Sequence, residues 1–278
     1  MTTFKMISML VLTLTAAAVA GPYSNGSGDA TNPIDPGVPG YVGPAGDGVV
    51  IGNDVNPDFI GWATGHSDVY LAGTTGDTNY ELFPYPEAAY GPATGNVDDV
   101  ICLGDLDVYM LAAGDPVGYV TMTFDVAIRN GVGADLAAFE NGGFSGTDEY
   151  GNTVESMAEL GFVEVSSDGV TFVRFPSISL IPEPAANMHP AIRQYLPANA
   201  TDMYNFAGKH MNAYGSSWGT PFDLDDLATD PAVLAGLVDL NDIQHVRVVD
   251  IPGDGSFVDS LGNPIYDAWT TWETGGID

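Results

Sequence analysis

Between residues 120 and 128 the side chains alternate. Val120, Met122, Phe124, Val126 and Ile128 are apolar, and Thr121, Thr123 and Asp125 stand between them. A period of two over this length belongs to a strand with one face on a core and the other toward water, as antiparallel sheets allow. A chain that commits its clearest pattern to such a strand must supply antiparallel partners. The expected partners are a hairpin, Phe162-Val163-Glu164-Val165-Ser166 and Val170-Thr171-Phe172-Val173-Arg174-Phe175, joined at Ser167-Asp168-Gly169. A last strand is expected over residues 245–251 and a short one over 135–139. Weaker strand signals lie at Val49-Val50-Ile51, at 62–71 and over 99–103. Asp230-Pro231 places a cap and a first-turn proline for a short helix over 231–238. Strands dominate, so the expected class is all-β, an antiparallel β-sandwich of jelly-roll type with one or two short helices. On this pattern Val246 points into the core and Thr121 toward solvent.

Residues 1–20 read as a secretory signal peptide: Lys5, then an apolar run ending Ala18-Val19-Ala20 before Gly21. Residues 21–47, rich in Gly, Pro, Asn and Asp, read as an extended or disordered lead-in. Residues 48–278 then form a single β-sandwich domain. Export without a lipid-anchoring cysteine implies a secreted or extracellular protein, with cell-surface association as the variant. Cys102 is the single cysteine. No disulfide framework is therefore available, and Cys102 reads as a small buried apolar residue.

Charge narrows the partners. Six Lys+Arg face 37 Asp+Glu, giving a net charge of −31. Nucleic acid and anionic membrane would both be repelled. The excess acid fits a surface kept soluble in salt water, or structural calcium held in turns. Six to eight oxygens are needed for that ion, and Asp135, Glu140, Asn141, Asp250 and Asp267 are the candidates if the fold brings their loops together. The alternative is that these acids cap turns.

Chemistry beyond this is sparse. His66, His189, His210 and His245 show no zinc-ligand spacing. Gly215-Ser216-Ser217-Trp218-Gly219 matches the nucleophile-elbow pattern formally, but lacks the strand before it and the helix after it that the motif requires. Glu140, Glu159 and Glu164 lie near the expected sheet and could include a glycosidase pair, yet so many acids make chance pairs common. Loop aromatics are more suggestive, since an aromatic ring matches the apolar face of a pyranose. Trp62, Tyr214, Trp218 and Trp269 are the candidate ligand-binding residues, with Tyr85, Tyr90 and Trp272 beside them.

Several stretches together resemble one family. They are Gly133-Ala134-Asp135 with Phe139-Glu140-Asn141-Gly142, the run from Ala158 to Gly169, Ala207-Gly208-Lys209, Gly219-Thr220-Pro221-Phe222-Asp223-Leu224 and Gly262-Asn263-Pro264-Ile265-Tyr266-Asp267. From about residue 48 onward the chain resembles secreted bacterial proteins usually called only cell-surface proteins, many of which carry a PEP-CTERM sorting tail. The paired strands 163–172 and 245–250 look like those of galactose-binding-like jelly rolls. Two departures stand out: extra residues between Lys209 and Gly219, and an end at Gly275-Gly276-Ile277-Asp278 where the family pattern continues into another strand. The resemblance implies fold and location rather than an activity. The expected function is a non-catalytic extracellular module binding a glycan or other extracellular ligand. The alternatives are a matrix or coat protein without a small ligand, and a carbohydrate-active hydrolase.

Overall fold

The computed structural model describes residues 60–73, 85–92, 100–104, 106–140, 159–184, 202–209 and 219–267, and the backbone of 144–147 and 153–156. The stretches expected to be a signal peptide (1–20) and a lead-in (21–47), and the strand signal at 49–51, lie outside the described residues.

The described residues are mostly strands in antiparallel sheets, with two short α-helices among them. Their centre is β11 (Ile243–Asp250), which pairs on one side with β2 (Tyr119–Ile128) and on the other with β6 (Gly161–Ser166). β1 (Gly65–Tyr70) flanks β2 and β7 (Val173–Arg174) flanks β6, completing a five-stranded sheet in the order β1-β2-β11-β6-β7. The other described strands pair two by two: β3 (Leu136–Ala138) with β10 (Thr220–Phe222), β4 (Phe144–Thr147) with β5 (Thr153–Ser156), β8 (Ile178–Ser179) with β9 (Met203–Tyr204), and β12 (Asp254–Val258) with β13 (Pro264–Tyr266).

The hairpin expected at Asp168-Gly169 forms. Asp168 Oδ1 accepts the N–H groups of Val170 and Thr171 at 2.8 and 2.7 Å, and Gly169 takes a φ of 72°. Those bonds to the charged carboxylate hold the Asp168 carboxyl below its ordinary range. The strand over 135–139 appears as β3. The signal over 99–103 does not become a strand in its described residues, 100–103. Beyond residue 251 the chain turns back on itself in the β12/β13 hairpin. The helix expected over 231–238 is shorter: α2 (Pro231–Leu234) is capped by Asp230, and Gly236, at φ 70°, turns the chain out of it. A helix that the strand patterns do not announce, α1 (Val108–Ala113), is closed by Asp107 at its start and left-handed Gly114 at its end.

Both faces of the central sheet are covered. Val163, Val165, Val173 and Val246 pack on one side with Phe175, Phe222, Leu224, Leu227 and Ile243. Phe162 and Val249 alternate with these along the strands, so they face the other way. There they meet Leu160, Ile181, Met203, Phe206, Ile251 and Ile265. This second covering corrects the solvent position expected for Thr121. Thr121 is fully buried, because its face carries a second layer and the Arg247 side chain beside it. Val126 departs the other way and is 74% exposed, although it continues the apolar series. The β2–β11 register shifts between Ile243 and His245, so residues 124–127 of β2 bulge from a ladder that resumes at Ile128.

Asp259 ties the last hairpin to the rest. It accepts the backbone N–H groups of Asn263, Ser179 and Leu261 and the Asn263 side-chain amide. Burial works to raise its carboxyl pKa, but these donors outweigh it and hold the carboxyl below the ordinary range. A carboxyl depressed on folding adds stability above its unfolded pKa, about 3.9, and that stability is lost as pH falls through the folded value. The urea midpoint of Asp259→Asn should therefore fall below wild type at neutral pH, with the gap narrowing as both are taken below pH ~3. A gap that is unchanged or wider in acid would remove Asp259 from this role. For the core, Val246→Ala should cost about 1–3 kcal/mol, whereas Val126→Ala should cost less than about 0.5. Equal urea midpoints would contradict the two burials.

Candidate functional site

Four of the five expected metal ligands, Asp135, Glu140, Asp250 and Asp267, are among the described residues. Asp135 opens β3 with both carboxylate oxygens engaged by backbone: Gly131 N–H donates at 2.7 Å and Leu224 N–H at 2.9 Å. It staples two loops in the turn-and-cap role that competed with calcium. Burial, against those two bonds, leaves its carboxyl above the ordinary range, and Asp223 and Asp225 add to the rise. Glu140 lies just past β3. Asp250 and Asp267 are buried elsewhere, on either side of the 160–161 step: Asp250 stands opposite Gly161 in the β11–β6 ladder, and Asp267 accepts the Leu160 N–H at 3.3 Å. The backbone leaves little room around Asp267, since a Cβ on Gly253 would fall 1.8 Å from its Oδ1. Asn141 lies outside the described residues. Among the described residues no group of three or more His, Cys, Asp or Glu side chains is placed to hold a metal ion.

Of the four aromatic candidates, Trp62 is the one among the described residues. Trp62 is half-buried, its ring 5.7 Å from that of Phe139. Tyr214, Trp218 and Trp269 lie outside the described residues, as do residues 215–218 of the nucleophile-elbow match. His66 bonds through Nδ1 to the Tyr90 hydroxyl, and His245 Nδ1 lies 3.3 Å from Ser67 Oγ.

What the fold does assemble is a polar and aromatic array on the sheet face that carries Thr121. Cross-strand register sets it out in rows. Tyr70, Tyr119, Val249 and Phe162 form one row; Asp68, Thr121, Arg247, Glu164 and Arg174 form the next. Residues directly opposite across antiparallel strands share a face, so these side chains are neighbours although up to 179 positions apart in sequence, the Asp68–Arg247 span.

Arg247 is the hub. Its guanidinium carbon lies 3.7 Å from the centre of the Phe172 ring and 4.9 Å from that of Tyr119. Its Nε donates to Thr121 Oγ1 at 2.9 Å, and Nη1 lies 3.7 Å from Glu164 Oε2. Glu164 takes a second arginine on its other oxygen: Arg174 Nε and Nη2 both donate to Oε1, at 2.9 and 2.8 Å. Arg174 lies over the Phe162 ring at 4.1 Å. Each cation thus has an aromatic face and a carboxylate, the environment in which a guanidinium is held in one orientation.

Beside this clamp Tyr119 donates its hydroxyl proton to Asp68 at 2.9 Å and stacks on Tyr70, centroids 6.1 Å apart. The hydrogen bond to Asp68, with burial second, keeps the Tyr119 phenol above its ordinary pKa and so protonated as a donor. Tyr70, 39% exposed, presents its ring at the edge of the array. Glu164 stands out in the sequence only as one of three acids for a possible glycosidase pair, and Tyr70, Tyr119, Arg174 and Arg247 do not stand out as site residues at all. The available signal was the alternation itself, which placed Glu164, Arg174 and Arg247 on the polar positions of three strands.

This is an all-β protein with antiparallel sheets and a clustered polar face. Among the described residues no helix is long and apolar enough to cross a membrane. No family model, curated protein or solved structure matches the chain.

The clamp yields a direct test. Thr121→Val leaves the Arg247 Nε–H without its acceptor at a buried position and should cost about 1–2 kcal/mol. The same change in an Arg247→Met background should cost much less, read as the coupling in a double-mutant cycle of urea midpoints. Equal costs in both backgrounds would show that this bond contributes nothing.

Proposed function

We propose that this chain is a secreted, non-catalytic extracellular or cell-surface module that binds a glycan on the Tyr70–Arg247 face. The galactose-binding-like jelly roll implied by the family resemblance belongs to the same proposal, as does export through residues 1–20. One observation carries the binding reading: an exposed ring, Tyr70, borders a rigid field of donors and acceptors, Asp68, Tyr119, Glu164, Arg174 and Arg247. A sugar offers the complementary surface, with an apolar C–H face for the ring and hydroxyls for the polar groups around it.

The arrangement is poor for acid–base catalysis. Glu164, the best placed carboxylate on this face, has one oxygen bonded by Arg174 and the other beside Arg247. A general acid or base must instead present an oxygen within hydrogen-bond reach of the substrate. A coat or matrix protein would need no such array, and a hydrolase would need a second carboxylate across a cleft. The binding reading requires no cation, and calcium has no part in it.

The test is a carbohydrate microarray probed with the mature protein and with Tyr70→Ala. Tyr70 lies on the edge strand and its main ring contact is Tyr119, so the variant should stay folded with a loss of about 1 kcal/mol. Its affinity for the captured glycan should drop roughly tenfold or more, as expected for an anchoring ring. An unchanged binding profile in Tyr70→Ala would move the site off this face, and no captured glycan would favour the coat reading.

A further inference from the structure

We infer that Glu164 sets the ligand class of this face: by occupying both arginines it directs the site toward neutral glycans and away from uronate or sulfated ones. This rests on the glycan-binding reading and deepens it.

Arginine selects carboxylate and sulfate groups through the planar fork of its N–H donors. On this face the Nε edge of each fork is already committed and both guanidinium charges are paired. Arg174 spends Nε and Nη2 on Glu164 Oε1, and Arg247 spends Nε on Thr121 with Nη1 beside Glu164 Oε2. Rings cover both: Phe162 under Arg174, and Phe172 and Tyr119 about Arg247. The formal charge of the row is balanced, two guanidinium groups against the carboxylates of Glu164 and Asp68. An acidic polymer would find no net positive field here, and at longer range it would approach a chain of net charge −31. A neutral pyranose meets none of these costs. It needs an exposed ring, which Tyr70 supplies, and oriented polar groups, which the clamp fixes.

Glu164 is therefore a specificity-determining residue, acting through the two arginines that it holds. Glu164→Gln keeps the size of the side chain and an oxygen for Arg174, but removes the charge. The row then becomes net positive, with its guanidinium groups released from an ionic partner.

The experiment measures binding of wild type and Glu164→Gln to two immobilised polysaccharides, a neutral glucan or galactan and a polyuronate, across a range of NaCl. Wild type should bind the neutral polymer with an affinity that salt hardly changes, and the polyuronate weakly or undetectably. Glu164→Gln should gain about three- to tenfold for the polyuronate at low salt, with the gain erased near 1 M NaCl, where screening acts within about 3 Å. Circular dichroism and the urea midpoint check the fold of the variant. If Glu164→Gln fails to fold, the salt dependence of wild-type binding decides, because a steep loss with salt would show that the arginines already read anionic groups. A wild type that prefers the polyuronate, or a folded Glu164→Gln with no gain, overturns the role of Glu164 and leaves the binding face standing. Binding of neither polymer by either protein overturns both.

Discussion

The structure depends on β11 being paired along both edges and covered on both faces. Its neighbours β2 and β6 have no ladder with each other; each reaches the sheet only through β11. A strand in that position cannot be half polar in the ordinary way. Val246 and Val249 are both buried, on opposite sides, and Arg247 between them lies on a face that the second hydrophobic cluster partly closes. A buried or half-buried charge has to be paired and hydrogen-bonded or it is destabilising. The Thr121 hydroxyl, Glu164 and the rings of Tyr119 and Phe172 answer that requirement. The site and the core are thus consequences of one strand's placement.

The local features were legible where chemistry acts over a few residues. Asp168-Gly169 between two alternating runs specified a turn, and the structure makes it with the carboxylate bonds such a turn uses. Asp230-Pro231 likewise fixed the start of α2, while its end depended on Gly236 more than on the apolar residues beyond. Asp107 and Gly114 bracket α1 with the standard signals, but six residues between them are too few to show a helical period.

The rest was not legible because it depends on register and layering. Thr121 occupies a polar position of a good alternating strand, and nothing nearby says that residues from 160 to 181 and from 249 to 265 will return to cover it. Val126 obeys the same alternation and ends up exposed, because a register shift lets residues 124–127 of β2 bulge from the ladder. The array around Arg247 joins side chains from five strands, and a one-residue slip of any of them would turn its contribution to the opposite face. The loop acids illustrate the converse. Asp135 had the right chemistry for a cation, but two backbone N–H groups reach it first.

The scarcity of Lys and Arg has a consequence for resistance to proteolysis. Proteases of the trypsin type cut after those residues, and they need the target side chain and its backbone presented as a loose extended segment. Four such residues are described here. Lys209 is buried, Arg247 sits in the central strand between two rings, and Arg174 belongs to a strand and is bound to Glu164. Arg129, just past the end of β2, is the one among them with an exposed side chain outside any strand or helix. By clamping two of the four described cations in one row, the sheet withholds both from this class of enzyme.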